Sequence, residues 1–202
     1  FTTAQLASLA SADFGALTTA QMSKLSTAQI AALTSTQTQG LTSAQAAALS
    51  SAQLNALTAG AFAKLDSGDL QALTTAAVSG FTTAQLASLA SADFGKLTTA
   101  QMSKLSTAQI AALTSTQSQG LTTAQLAALG TSSIAAFSTS AFSKLSTAAI
   151  SKITPAQIAG ITTAQIASMT TAQAGALTTA QIDKLSDSQY ASFGTAQLAA
   201  LN

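Results

Sequence analysis

Six carboxylates, seven ammonium groups, one phenol and many aliphatic hydroxyls are the groups in this sequence that could do acid–base or ligand chemistry. The carboxylates are Asp13, Asp66, Asp69, Asp93, Asp183 and Asp187, and there is no Glu, His, Cys, Arg or Trp. Asp66 and Asp69 stand three residues apart, a spacing that brings two side chains together on one helical turn. Such a pair could serve as a catalytic dyad or as half of a calcium site. Its position in the local pattern points elsewhere. Asp66 falls where a helix N-cap is expected, and Asp13, Asp69 and Asp93 fall at the third helical position, where an acceptor suits the helix N-terminus. The hydroxyls have no His to act as base, and no Gly-x-Ser-x-Gly elbow occurs. Glycines are single, so no phosphate-cradling loop is present, and no Asp/Gly calcium nonapeptide appears. Lys184 and Asp187 read as a surface pair. The expectation is a protein that is not an enzyme, with no catalytic, cofactor-binding or metal-ligating residues.

The elements that would have to position these groups are set by a repeat. Written in rows of eight from Phe1, the chain falls into 25 octads plus Leu201 and Asn202, with no insertion or deletion. The consensus is LTTAQIAA. Position one is Leu, Phe, Ile or Met in every row, position two is Ser or Thr in 20 of 25, and position five is Gln in 17. Position six is large and apolar except at Thr38, Ala46, Ser118 and Ala174. A longer period is superposed. Residues 1–45 and 81–125 are nearly identical, so an 80-residue unit (1–80, 81–160, partial 161–202) was duplicated. Gly40, Gly80, Gly120 and Gly160 close octads at 40-residue spacing, as a bend or as a relic of an older duplication.

Three signals start a helix at position two of each octad. Thr-Thr-Ala-Gln matches the capping box, in which Thr or Ser caps the third helical amide and Gln reaches back to the cap amide. The only proline, Pro155, falls at the first helical position, where its missing N–H costs nothing. All seven lysines (Lys24, Lys64, Lys96, Lys104, Lys144, Lys152 and Lys184) fall at position eight, where a cation meets the negative end of the helix dipole. One continuous helix is excluded, because at about 100° per residue the apolar stripe would drift by roughly 80° per octad. The chain therefore breaks direction at each cap.

The expected fold is all-α, a solenoid or superhelical rod of about 25 short capped helices covering positions three to eight, with positions six and one buried. A β-solenoid is the rival. It would send positions one and six to opposite faces, and Ala and Gln are poor strand residues. Helices of about six residues do not persist alone in water, so each octad must stack on others. Two packings fit the pattern: a two-layer zigzag on the order of 100–120 Å long, at about 8–10 Å per octad pair, or a single spiral. Aromatics at position six (Phe14, Phe62, Phe94, Phe142 and Tyr190) all fall in even octads, which favours the zigzag.

Composition limits the partners. Only 6% of residues are charged and the net charge is +1, which indicates neither nucleic acid nor cations. The absence of Cys removes disulfides, zinc clusters and thiol chemistry. Ser, Thr or Gln interrupts every apolar run, so no transmembrane segment is expected. The chain begins and stops on repeat consensus, which suggests a segment of a longer protein.

The string LTTAQIAAL, with Ser/Thr and Leu/Ile/Phe/Met exchanges at residues 17–33, 97–113 and 161–169, resembles octad arrays of very large bacterial surface-exposed or secreted, adhesin-like proteins. That resemblance implies an extracellular or cell-surface stalk, fibre or surface layer. It carries no catalytic or binding residues, and self-association becomes the expected partnership because little charge opposes it. The alternative is a binding module for ice, glycan or a partner protein that uses the regular position-three threonines.

Overall fold

A computed structural model describes residues 1–201, and all of its regular elements are helical. There are 25 helices, one per octad and of four to six residues each, and no strand occurs among the described residues. The chain divides into two compact units, Phe1–Lys104 and Leu105–Asn202.

The first unit runs α1 (Thr3–Ala7), α2 (Ser11–Gly15), α3 (Thr19–Ser23), α4 (Thr27–Ala31), α5 (Ser35–Gln39) and α6 (Ser43–Ala47). It continues through α7 (Ser51–Ala56), α8 (Ala59–Phe62), α9 (Ser67–Ala72), α10 (Thr75–Ser79), α11 (Thr83–Ser88), α12 (Ser91–Phe94) and α13 (Thr99–Met102). The second unit begins with α14 (Thr107–Ala111), α15 (Ser115–Gln119), α16 (Thr123–Ala127), α17 (Thr131–Ala136), α18 (Thr139–Phe142) and α19 (Thr147–Ile150). It ends with α20 (Pro155–Ile158), α21 (Thr163–Ser168), α22 (Thr171–Ala174), α23 (Thr179–Ile182), α24 (Asp187–Tyr190) and α25 (Thr195–Leu198).

Each helix starts as the sequence predicts. Thr82 sits in extended backbone (φ −72°, ψ 153°) and its hydroxyl accepts from the Gln85 amide at 3.1 Å. Pro155 opens α20 behind the Thr154 cap. The helices stop short of the expected position eight in 20 of the 25 octads, among them every octad that carries a lysine. There the backbone tightens into i→i−3 bonds, such as Lys64 N–H to the Ala61 carbonyl at 3.0 Å. Position eight is therefore the closing residue of these octads, and its lysine is exposed just past the helix.

Within each unit the close contacts join each helix to the one three octads further along, as in α4 on α7, α6 on α9, α14 on α17 and α15 on α18. Three octads thus make one turn. The single spiral forms, and the zigzag suggested by aromatics in even octads does not. Three apolar pairs per turn thus face one core. Position six supplies Leu54, Phe62 and Leu70 to that core at 0% exposure, and position one supplies Leu57 and Leu65 at 3% and 1%. Phe62 and Phe81 meet edge-to-face across one stacking interval, with centroids 4.8 Å apart.

Glycine at position eight reports the closeness of this stacking. A Cβ on Gly40 would lie 2.1 Å from the Ser11 hydroxyl, and one on Gly160 would lie 2.2 Å from the Thr131 methyl group. These glycines allow neighbouring turns to approach; no glycine has positive φ.

Candidate functional site

The polar chemistry of the repeat converges on the position-five glutamine. Its carbonyl oxygen accepts from the cap amide of its own helix, as in Thr98 N–H to Gln101 at 2.8 Å. Its amide nitrogen donates downward, to the position-six carbonyl 31 residues earlier and the position-one carbonyl 28 residues earlier. For Gln101 these are Leu70 at 2.7 Å and Leu73 at 2.8 Å. Gln85 does the same to Leu54 and Leu57 at 2.7 and 2.9 Å, and Gln181 to Ile150 and Ile153 at 2.8 and 2.6 Å. Gln197 bonds the Ile166 carbonyl at 3.3 Å and the Met169 carbonyl as well. The side chains are buried (Gln85 2%, Gln101 1%), yet both amide hydrogens and the oxygen have partners. Each of these glutamines therefore ties its own helix start to the corner carbonyls of the turn beneath. A buried amide is stable only when satisfied in this way.

Sequence reasoning assigned this glutamine to capping and missed the bonds between turns. A signal was available. Glu serves in a capping box as well as Gln, yet the chain holds 17 position-five glutamines and no Glu at all. The two residues differ in the N–H donor and in charge, and a buried site facing carbonyl oxygens selects the neutral donor on both counts.

A second set of links comes from three of the position-three serines. Ser11, Ser51 and Ser115 donate to the carbonyls of Thr36, Ala76 and Ser140, each 25 residues on, at 3.1, 3.0 and 3.3 Å. These hydroxyls serve the stacking and are not free for a ligand lattice. The three-octad turn also distributes position three over three columns per unit. In the column of α16, α19, α22 and α25 it is Thr throughout (Thr123, Thr147, Thr171 and Thr195), while the other two columns of the second unit are interrupted by Pro155, Ser115 and Asp187.

The carboxylates fall into three groups. Asp66 caps α9, accepting from the Asp69 amide at 2.9 Å, and Asp69 accepts from the Asp66 amide at 3.2 Å, so the pair forms a capping box. Asp69 is 2% exposed. Burial raises its pKa above the ordinary aspartate range, the nearby Asp66 charge adds to that, and hydrogen bonds from the Asp66 backbone and the Ser43 side chain pull the other way. Asp13 and Asp93 lie in the first turns of α2 and α12, whose cap positions are Ala10 and Ala90 and carry no side-chain cap bond. Each places a negative charge at its helix N-terminus. Asp183 closes α23 and Asp187 opens α24, both exposed. No helix among the described residues is long and apolar enough to cross a membrane.

Residues 6–43, 62–99, 86–123 and 150–187 each match the ALTTAQ repeat, and together they span more than half of the sequence. The chain belongs to the ALTTAQ repeat family. The helix caps, the glutamine ties and the apolar corners are thus properties of ALTTAQ octads, arranged in these units at three octads per turn. No curated protein and no solved structure matches the chain.

Proposed function

We propose that this ALTTAQ array is a non-enzymatic structural segment, acting as a stalk or as a subunit of an extracellular bacterial filament or surface layer, and that it associates with copies of itself. The observation that carries this reading is the internal use of the polar groups. Cap hydroxyls, glutamine amides and position-three serines bond the fold to itself, and what remains outside is largely Ala, Ser and Thr with few charges. A surface with so little charge offers little repulsion to close association. The resemblance to adhesin-like octad arrays of bacterial surfaces points the same way. The test is sedimentation of the purified chain across a wide concentration range, with electron microscopy of the same samples. Ordered assemblies that grow with concentration are expected, and a monomer at every concentration refutes the role.

The second reading is a binding module for ice or a polysaccharide. The unbroken column Thr123, Thr147, Thr171 and Thr195 favours it. Replacing all four with Ala should abolish adsorption to ice or to insoluble polysaccharide while leaving the helical signal intact. Unchanged adsorption eliminates it.

A further inference from the structure

We infer that each compact unit contains a seam one full turn wide, at which neighbouring turns part before the rest of the unit unfolds. The inference goes beyond the structural role above and holds whichever role the array has.

The seams follow from where the position-five glutamine is missing. Eight of the 25 octads lack it. Octads 2 and 12 lose it singly, to Asp13 and Asp93, and the other six fall in two runs of three. The first run is octads 8 to 10, with Ala61, Asp69 and Ala77. The second is octads 17 to 19, with Ser133, Ala141 and Ala149. Three octads make one turn, so each run removes the glutamine ties from a complete stacking interval. In the first unit that interval joins α5 to α8, α6 to α9 and α7 to α10. In the second it joins α14 to α17, α15 to α18 and α16 to α19.

The 80-residue duplication does not account for the second run. Copying octads 8 to 10 would place it at octads 18 to 20. Octad 20 instead carries Gln157, whose amide bonds the Leu126 carbonyl at 3.3 Å. Octad 17 carries Ser133 where its counterpart, octad 7, has Gln53. The run has shifted by one octad and kept the length of one turn.

The missing amides leave their acceptors behind. In tied turns a position-one carbonyl receives the glutamine 28 residues on, as Leu57 and Leu145 do at 2.9 and 2.7 Å. Beneath the seams the equivalent carbonyls belong to Leu33, Leu41 and Leu49, and to Leu105, Leu113 and Leu121. All six residues are buried, and these carbonyls accept no hydrogen bond among the described residues. Lost bonds and unpaired acceptors both weaken the contact. Single serine links cross the gap: Ser51 to the Ala76 carbonyl at 3.0 Å, Ser43 to Asp69, and Ser115 to the Ser140 carbonyl at 3.3 Å. The core beneath is also poorer in apolar volume. Of the four small residues at position six, Thr38, Ala46 and Ser118 lie in the turns directly under a seam. Stability in a stacked array is a sum over neighbouring interfaces, so the interface with the fewest ties opens first.

The chain has no cysteine, so a single introduced thiol reports local opening without background. Ala61→Cys and Ala141→Cys place it in the two seams, at sites 1% and 0% exposed. Leu86→Cys and Ala174→Cys place it in turns whose own octads carry glutamine, both at 0% exposure. Under native conditions the seam thiols should react with a thiol reagent about ten-fold or more faster than the other two, because local opening costs less than global unfolding. Adding Asp69→Gln to Ala61→Cys offers a donor to the Thr38 and Leu41 carbonyls, and should slow labelling by about two- to ten-fold per bond restored. Asp69→Glu, of the same length but without that donor at neutral pH, should not slow it. Circular dichroism checks that each variant is folded, and the comparison of the four thiols stands even if the Gln variant is not. Equal labelling at all four sites overturns the seam. A Gln variant that slows labelling no more than the Glu variant overturns its origin in the missing ties.

Discussion

Replacing Gln165 with Glu separates the two functions of the position-five amide in one substitution. Glu keeps an oxygen for the Thr162 N–H, which the glutamine now receives at 2.9 Å. It loses the donors to Phe137 at 2.8 Å and Ile134 at 3.0 Å, both buried residues, and the weaker one to Ala135 at 3.3 Å. Two buried hydrogen bonds contribute about 0.5–1.5 kcal/mol each, and leaving their partners unsatisfied costs about 1–3 kcal/mol each. Near neutral pH the variant also places a carboxylate against carbonyl oxygens in a site that excludes water, so the expected loss is about 3–5 kcal/mol. Acidification returns a proton that can donate to one of the two carbonyls, and the loss should fall to about 1–2 kcal/mol. Urea unfolding followed by circular dichroism at neutral and acidic pH measures this. Amide hydrogen exchange should show the weakening concentrated in α17, α18 and α21. The variant's Glu should titrate above the usual range, since the folded state favours its neutral form. A loss below about 0.5 kcal/mol at neutral pH, or one that does not shrink on acidification, refutes the claim that donation between turns is why Gln is required.

Other perturbations probe the remaining parts of the repeat. Asp69 holds its proton more tightly in the folded chain than in the unfolded one, so its contribution to stability declines as pH rises through the folded pKa. Asp69→Asn should therefore raise the melting temperature at neutral pH, with the gain vanishing below the ordinary aspartate pKa; a gain independent of pH would show that titration is not its source. Two Gly→Ala changes should have opposite signs. At Gly60 the nearest atom to a new Cβ is 3.9 Å away, so the helix propensity gain of about 1 kcal/mol should appear in full. At Gly15 the new Cβ would lie 2.9 Å from the Gly40 carbonyl oxygen, and the resulting strain of about 1–3 kcal/mol should exceed that gain in a denaturant titration. The buried Ser118 hydroxyl has no hydrogen-bond partner among the described residues, whereas Thr38 at the equivalent site donates to the Thr34 carbonyl at 3.1 Å. Ser118→Thr should gain about 0.5–1 kcal/mol in the same assay, and a loss would show that the site has no room for the methyl group.

Much of this protein is legible in its sequence because the chemistry that shapes it is local. The cap hydroxyl, the glutamine three residues on, Pro155 at the first helical position and the impossibility of a drifting stripe together determine one short helix per octad, and the structure forms 25 of them. The same pattern determines that positions six and one are buried, because they lie three apart on one face of so short a helix. It also assigns Asp66 and Asp69 to a cap. Each of these features depends on residues within a single octad or its immediate neighbour.

What lies beyond one octad needed the tertiary structure. The choice of three octads per turn over two depends on how apolar pairs close a core in space, and the even-octad aromatics gave a misleading sign because they follow the duplication and not the stacking interval. The approach of Ser11 to Gly40 shows why a side chain is unwelcome at that position, which the sequence displays without a cause. The second bond of each glutamine reaches 28 to 31 residues back, to backbone carbonyls that every residue type possesses equally, so no side chain marks the partner. A helix cap is a contract between neighbours in the chain and can be read from them. A hydrogen bond to another turn's backbone exists only once the turns are stacked.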